Sequence, residues 1–132
     1  MSDTDRPLAF IYDRHATERS RGMLDLRLEG CRNWAALQRW DVAGAWVDLG
    51  DHALTDDHRP QFDVLCTAMA LHAAERTAIC LIHNWERLTR NNRATYQRRV
   101  AAAGGYTATA FGENDQTAVA TMSRASASKE DR

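Results

Sequence analysis

Arg14, Arg59, Arg87 and Arg90 are the residues of this sequence best suited to gripping a phosphate. Guanidinium is planar, always charged, and bidentate toward phosphate oxygens. Arg14 follows a short apolar run, and Arg87 and Arg90 fall in Trp85-Glu86-Arg87-Leu88-Thr89-Arg90, after another such run. A three-residue spacing puts that pair on one side of a helical turn. Arg59 precedes Pro60 at a helix start, where free amides also favour an anion. Four such groups converging on one crevice would stabilise a phosphodiester under attack. The same spacing also suits four solvated surface arginines. Beside Arg14 the chain offers Ala16, where a strand-end site would want a nucleophile.

These residues need a scaffold, and hydrophobic periodicity supplies one. Residues 7–12 (PLAFIY) read as a buried first strand and residues 13–22 as a polar loop. Residues 23–39 predict a helix with Leu24, Leu28, Cys31 and Ala35 on one face, and Gly30 permitting close packing. Residues 40–49 predict a second strand, with Val42, Gly44 and Trp46 sharing a face. Residues 50–59 lack a period and read as a long loop. Pro60 opens the clearest helix, striped by Phe62, Leu65, Cys66, Met69, Ala70 and Ala73. Residues 77–83 form a continuous apolar run, the pattern of a strand covered on both faces. Residues 84–92 read as a turn, 93–103 as a helix closed by Gly104-Gly105, and 106–111 as a fourth strand.

Strands alternating with helices imply a single α/β domain of three layers, its sheet mainly parallel and of four to five strands. Ligands in such sheets gather beyond the carboxyl ends of the strands, here Asp13-Arg14, Asp48, residues 84–87 and Gly112-Glu113. The domain is expected over residues 7–122, with a flexible start at 1–6 and a low-complexity, disordered tail at 123–132.

Composition narrows the function class. The 132 residues are enough for one domain, and a net charge of -1 gives no global pull toward nucleic acid. Only Lys129 among the 17 basic residues is lysine, a bias that genome composition explains as readily as phosphate recognition. No apolar run is long enough to cross a membrane, and the acidic start is unlike a signal peptide, so a cytoplasmic location is expected. Cys31, Cys66 and Cys80 lie far apart on apolar faces and read as reduced core thiols. His15, His52, His58, His72 and His83 lack metal-ligand spacing; no metal or cofactor is expected, and nucleotide-binding glycine motifs are absent. His83, at a strand end, reads as a hydrogen-bonded histidine near the crevice. Asp51, Asp56 and Asp57 read as solvated loop charge, and Trp85 is the tryptophan placed to stack on a base.

Several segments together resemble one family. Ile11-Tyr12-Asp13-Arg14-His15-Ala16-Thr17 resembles the Tyr-x-Arg-Val-Ser-Thr segment of the serine recombinases, the resolvases and invertases. Asp48-Leu49-Gly50, followed by Arg59-Pro60, resembles the family's Asp-x-Gly loop and Arg-Pro helix start. Glu86-Arg87-Leu88-Thr89-Arg90-Asn91 resembles its Asp-Arg-Leu-x-Arg-Asn motif. The likeness runs in order over about residues 8–113. It implies a domain in which a serine attacks DNA phosphodiesters while arginines activate it and stabilise the transition state. On that resemblance Arg14, Arg59, Arg87 and Arg90 match the arginines, Glu86 takes the acidic position, and Ala16 takes the nucleophile's.

The resemblance thus implies a DNA-recombination domain that retains phosphate-binding arginines and lacks strand cleavage, since a methyl group cannot attack phosphorus. Thr17 or Ser20 would have to replace the serine in an active recombinase or nuclease. A third reading is a non-catalytic protein-interaction module. The expected partners are DNA, held weakly through phosphate, and either an active recombinase or a second copy of the chain. The family's long dimer helix and helix-turn-helix reader are not recognised up to Arg132. Ala16→Ser alone is therefore expected not to restore recombination.

Overall fold

The first apolar run becomes an inner strand of the sheet in a computed structural model, which describes residues 5–16, 21–56 and 58–117. Its elements are β1 (Leu8–His15), α1 (Arg21–Gln38), β2 (Asp41–Leu49), α2 (Asp51–Leu54), α3 (Pro60–His72), β3 (Ala78–Ile82), a 3-10 turn (Trp85–Arg87), α4 (Arg93–Ala102) and β4 (Tyr106–Thr109). The four strands are all parallel, in the order β2-β1-β3-β4. That agrees with the α/β domain expected from the alternation.

Period-two alternation splits the core into two layers. Leu8, Phe10, Tyr12, Ala78, Cys80 and Ile82 pack with Phe62, Leu65 and Met69 of α3 and Tyr96 and Val100 of α4. Ala9, Ile11, Ile79, Leu81 and Ala108 pack on the other side with Cys31 and Ala35 of α1. The apolar faces expected for α1 and α3 are therefore the ones used, except that Ala70 is exposed. Cys31, Cys66 and Cys80 are free thiols, two buried and Cys66 half-buried. Burial pushes Cys66 up to about 11 and Cys31 up to about 12, which keeps both protonated.

Several elements differ from the periodicity, and α1 already begins at Arg21, inside the expected loop. β1 runs on to His15 because its pairing with β2 continues through Arg14↔Asp48 and His15↔Leu49. The register of β2 against β1 shifts between Ala9 and Phe10, so Val42 pairs with Ala9 while Gly44 and Trp46 pair with Phe10 and Tyr12. Val42 therefore leaves the face it was expected to share; it is exposed, while Trp46 stacks on Phe10 at 5.6 Å between centroids. Residues 50–59 contain α2, a single turn with no room for an amphipathic stripe, anchored by buried Ala53. β4 ends at Thr109, leaving Phe111 exposed. The chain leaves α4 through Gly104 at φ 93°, and a Cβ at Gly105 would meet the Ala78 carbonyl oxygen at 2.3 Å. Asp57 and the tail expected at 123–132 lie outside the described residues.

One buried carboxylate joins three elements. Asp48, at the end of β2, accepts the Tyr12 hydroxyl at 2.8 Å and the backbone amides of Gln61 and Phe62 at 2.9 and 3.1 Å. It thus caps α3, whose own N-cap residue, Arg59, makes no side-chain cap bond. Asp48→Ala is expected to cost about 2–4 kcal/mol in urea denaturation, because it strands a buried hydroxyl and two helix amides. Asp48→Asn, which keeps an acceptor, should lose less.

Candidate functional site

Four of the six site residues expected from sequence contribute to one crevice at the carboxyl end of β1. A cavity of about 160 Å³ is lined by Arg14, Ala16, Ala53, Leu54, Arg87 and Arg90. Arg14 and Ala16 are two residues apart, and the alternation of β1 points Arg14 to the α3 side, with Tyr12. Arg87 comes from the 3-10 turn and Arg90 from the loop after it.

Each arginine is held differently. Arg14 donates through Nε and Nη2 to the Glu86 carbonyl at 3.0 and 2.8 Å, and through Nη1 to the Ala53 carbonyl at 3.0 Å. Burial, then the charges of Arg59 and Arg87, lower its pKa from the usual arginine value. Arg87 is half-buried; it donates to the Arg14 carbonyl at 3.2 Å and lies 3.9 Å from Asp13. Arg90 is 74% exposed and meets the Glu86 carboxylate at 3.5 Å. Glu86 therefore contributes its carbonyl to Arg14 and its carboxylate to Arg90. The carbonyl acceptors leave the charge of Arg14 in place, whereas Arg90 is paired with Glu86 and Arg87 lies at ion-pair distance from Asp13.

Arg59 is not brought to the cavity. Its side chain is 1% exposed, donates to the Thr55 carbonyl and to Asp56 at 2.8 Å each and to the Leu88 carbonyl, and lies 4.8 Å over the Tyr96 ring. It fastens the loop before α3 to the loop before α4. The helix-start position visible in the sequence is real, but the side chain turns inward because these acceptors surround it.

Asp56 is the other half of that fastening, and differs from the solvated charge expected of it. It accepts from Arg59, Thr89, Asn92 and Tyr96. The spacing Asp56/Arg59 was the available signal in sequence, since i,i+3 pairs meet on a turn. Trp85, the candidate base platform, carries the Arg93 guanidinium over its ring at 4.4 Å. Thr17 and Ser20 lie outside the described residues. Among the described residues no cluster of His, Cys, Asp and Glu could hold a metal ion, and no helix is long and apolar enough to cross a membrane.

Burial pushes the Asp56 carboxyl up, but bonds from Asn92 and Tyr96, the charge of Arg59 and the bond from Thr89 together hold it below the usual range. A lowered carboxylate pKa adds stability above the unfolded value that is lost as pH falls through the folded one. Acid titration of the fold should therefore show a stability loss beginning near about pH 4. Asp56→Asn should be less stable at neutral pH and show a flatter pH dependence over that window. An unchanged slope would remove Asp56 from the acid transition.

The sequence matches a family profile described as "Resolvase, N terminal domain" over residues 9–104. No curated protein matches. Among solved structures, a resolvase family site-specific recombinase from Streptococcus pneumoniae is similar at 14% identity and TM-score 0.69, covering 96% of this chain and 89% of that one. The N-terminal catalytic domain of TP901-1 integrase is similar at 17% identity and TM-score 0.65, covering 93% and 98%. The C-terminal catalytic domain of ISC1926 TnpA, an IS607-like serine recombinase, is similar at 17% identity and TM-score 0.66, covering 87% and 77%. At these identities the likeness is one of fold; the profile, spanning most of the described sheet and helices, assigns the chain itself. This chain belongs to the resolvase family of serine recombinases and carries that family's N-terminal domain.

Proposed function

We propose that this chain is a serine-recombinase-like domain of DNA recombination that grips a DNA phosphate in its arginine crevice without cutting the strand. The observation that carries this reading is the company Ala16 keeps: Arg14, Arg87 and Arg90 line the same cavity. Three guanidinium groups offer donors and charge to a tetrahedral oxyanion. A methyl group at the position matched to the family's nucleophile offers no oxygen for a phosphoserine link. Arg59 in this reading is a positioning residue that fixes the loops around the crevice. DNA contact is phosphate-directed, and so falls steeply with salt.

Nitrogen-15 spectra of the arginine side chains, followed during titration with inorganic phosphate and with a short duplex DNA, test the binding. Signals of Arg14, Arg87 and Arg90 should shift, and Arg90→Gln should weaken phosphate binding about three- to tenfold with an unchanged melting temperature. No shift at Arg14 and Arg87 would favour a module whose arginines are surface features only. Incubation with supercoiled DNA, followed by denaturing electrophoresis, tests the chemistry. No covalent protein–DNA species is expected. A species mapped to Thr17 or Ser20 would overturn the claim of inactivity and identify the replacement nucleophile.

A further inference from the structure

A second polar cluster lies behind the crevice, on the α1 side of the sheet. Asp13 is 1% exposed, although charged. Its Oδ2 accepts Nε of Arg27 at 2.8 Å, and its Oδ1 accepts the Arg14 backbone amide at 2.7 Å and Nη2 of Arg27 at 3.3 Å. Arg27 stands on α1, is itself largely buried, and also places Nη2 at 3.2 Å from Nδ1 of His15. Arg87 is the remaining guanidinium beside Asp13, and it stops at 3.9 Å, beyond hydrogen-bond reach.

The asymmetry of those distances matters for the crevice. A carboxylate bonded squarely to Arg87 would compete with any incoming anion for that guanidinium. Arg27 instead occupies both Asp13 oxygens and leaves Arg87 with one carbonyl, that of Arg14. A buried carboxylate that loses one partner moves to the next available one, because an unpaired buried charge is costly. A shift of about 1 Å would bring Asp13 to hydrogen-bond distance of Arg87. Burial, then the charge of Arg27, lowers His83 from the usual histidine value, toward the neutral imidazole.

We infer that Arg27 is a positioning residue of the phosphate crevice, holding the Asp13 carboxylate off Arg87 and so keeping Arg87 available to an anion. This rests on the phosphate-binding reading above, but the contact it describes exists without ligand. Nothing in the periodicity of α1 singles Arg27 out, and Asp13 read as the start of a loop.

Three variants of the full chain test it, with inorganic phosphate as the probe. Arg27→Gln should weaken phosphate binding about three- to tenfold, although the residue does not line the crevice. The double variant Asp13→Asn with Arg27→Gln should recover binding to within about twofold of wild type, because the competing carboxylate is gone. A purely structural role predicts the opposite order, with the double variant no better than the single one, and that result overturns the inference. So does undiminished binding by Arg27→Gln. Should Arg27→Gln not fold, Arg27→Lys carries the test: it keeps the charge but loses the fork, so binding should fall by a smaller factor, and unchanged binding overturns the inference. Arg87 side-chain signals compared in ligand-free wild type and Arg27→Gln separate the two readings. Slower guanidinium hydrogen exchange in the variant reports that Asp13 has closed on Arg87, whether or not phosphate binds the wild type. Unaltered exchange refutes that closure, while absent phosphate shifts in wild type refute only the binding proposal.

Discussion

The buried carboxylate of Asp48 is the interaction on which the rest of the arrangement hangs. It ends an edge strand, anchors the Tyr12 hydroxyl of the neighbouring strand, and supplies the cap that the α3 sequence lacks. A charge with near-zero exposure is tolerable only when its oxygens are filled, and here a hydroxyl and two amides fill them. The amides also contribute the positive end of the α3 dipole, which suits an anion. Because Asp48 pairs with Arg14 in register, the same contact fixes the height of Arg14 above the sheet.

Around that anchor the chain uses arginine for two separate purposes. Arg59 and Arg27 are enclosed and tie loops or strands to helices; Arg14, Arg87 and Arg90 border the cavity. The difference lies in what surrounds each guanidinium, not in its position along the chain. Arg14 belongs partly to both groups, since it braces α2 and the 3-10 turn through their carbonyls while also lining the cavity.

Most of the scaffold was legible because it follows from apolar spacing. The runs at residues 8–12 and 78–82 are buried without a gap, and Leu24, Cys31 and Ala35 fall on the inner face of α1 as their spacing requires. Residue type and position after two apolar runs picked out Arg14, Arg87 and Arg90, and the resemblance gave Ala16 the nucleophile's place. What escaped was long-range and polar. Asp13 and His15 look like loop residues, yet are strand residues made tolerable by Arg27, and no local rule reports a partner on a helix further along. Arg59 at a helix start looks solvent-facing until Leu88, Thr55 and Tyr96 surround it. Asp56 reads as loop charge because three of its four donors lie more than thirty residues away.

The cavity has walls of unequal rigidity. On one side stand β1 and the 3-10 turn, tied into a sheet whose inner strands bond on both edges. On the other stands α2, one helical turn with Ala53 buried and Leu54 71% exposed, connected to Arg14 through a carbonyl. A single turn has no cooperative helix stability of its own. Its opening is therefore a local event, cheaper than unfolding the sheet, and its amides exchange with solvent ahead of those in β1. The crevice is thus bordered by a sheet-backed floor on one side and, on the other, by a four-residue turn that depends on Ala53 and the Arg14 bond for its place.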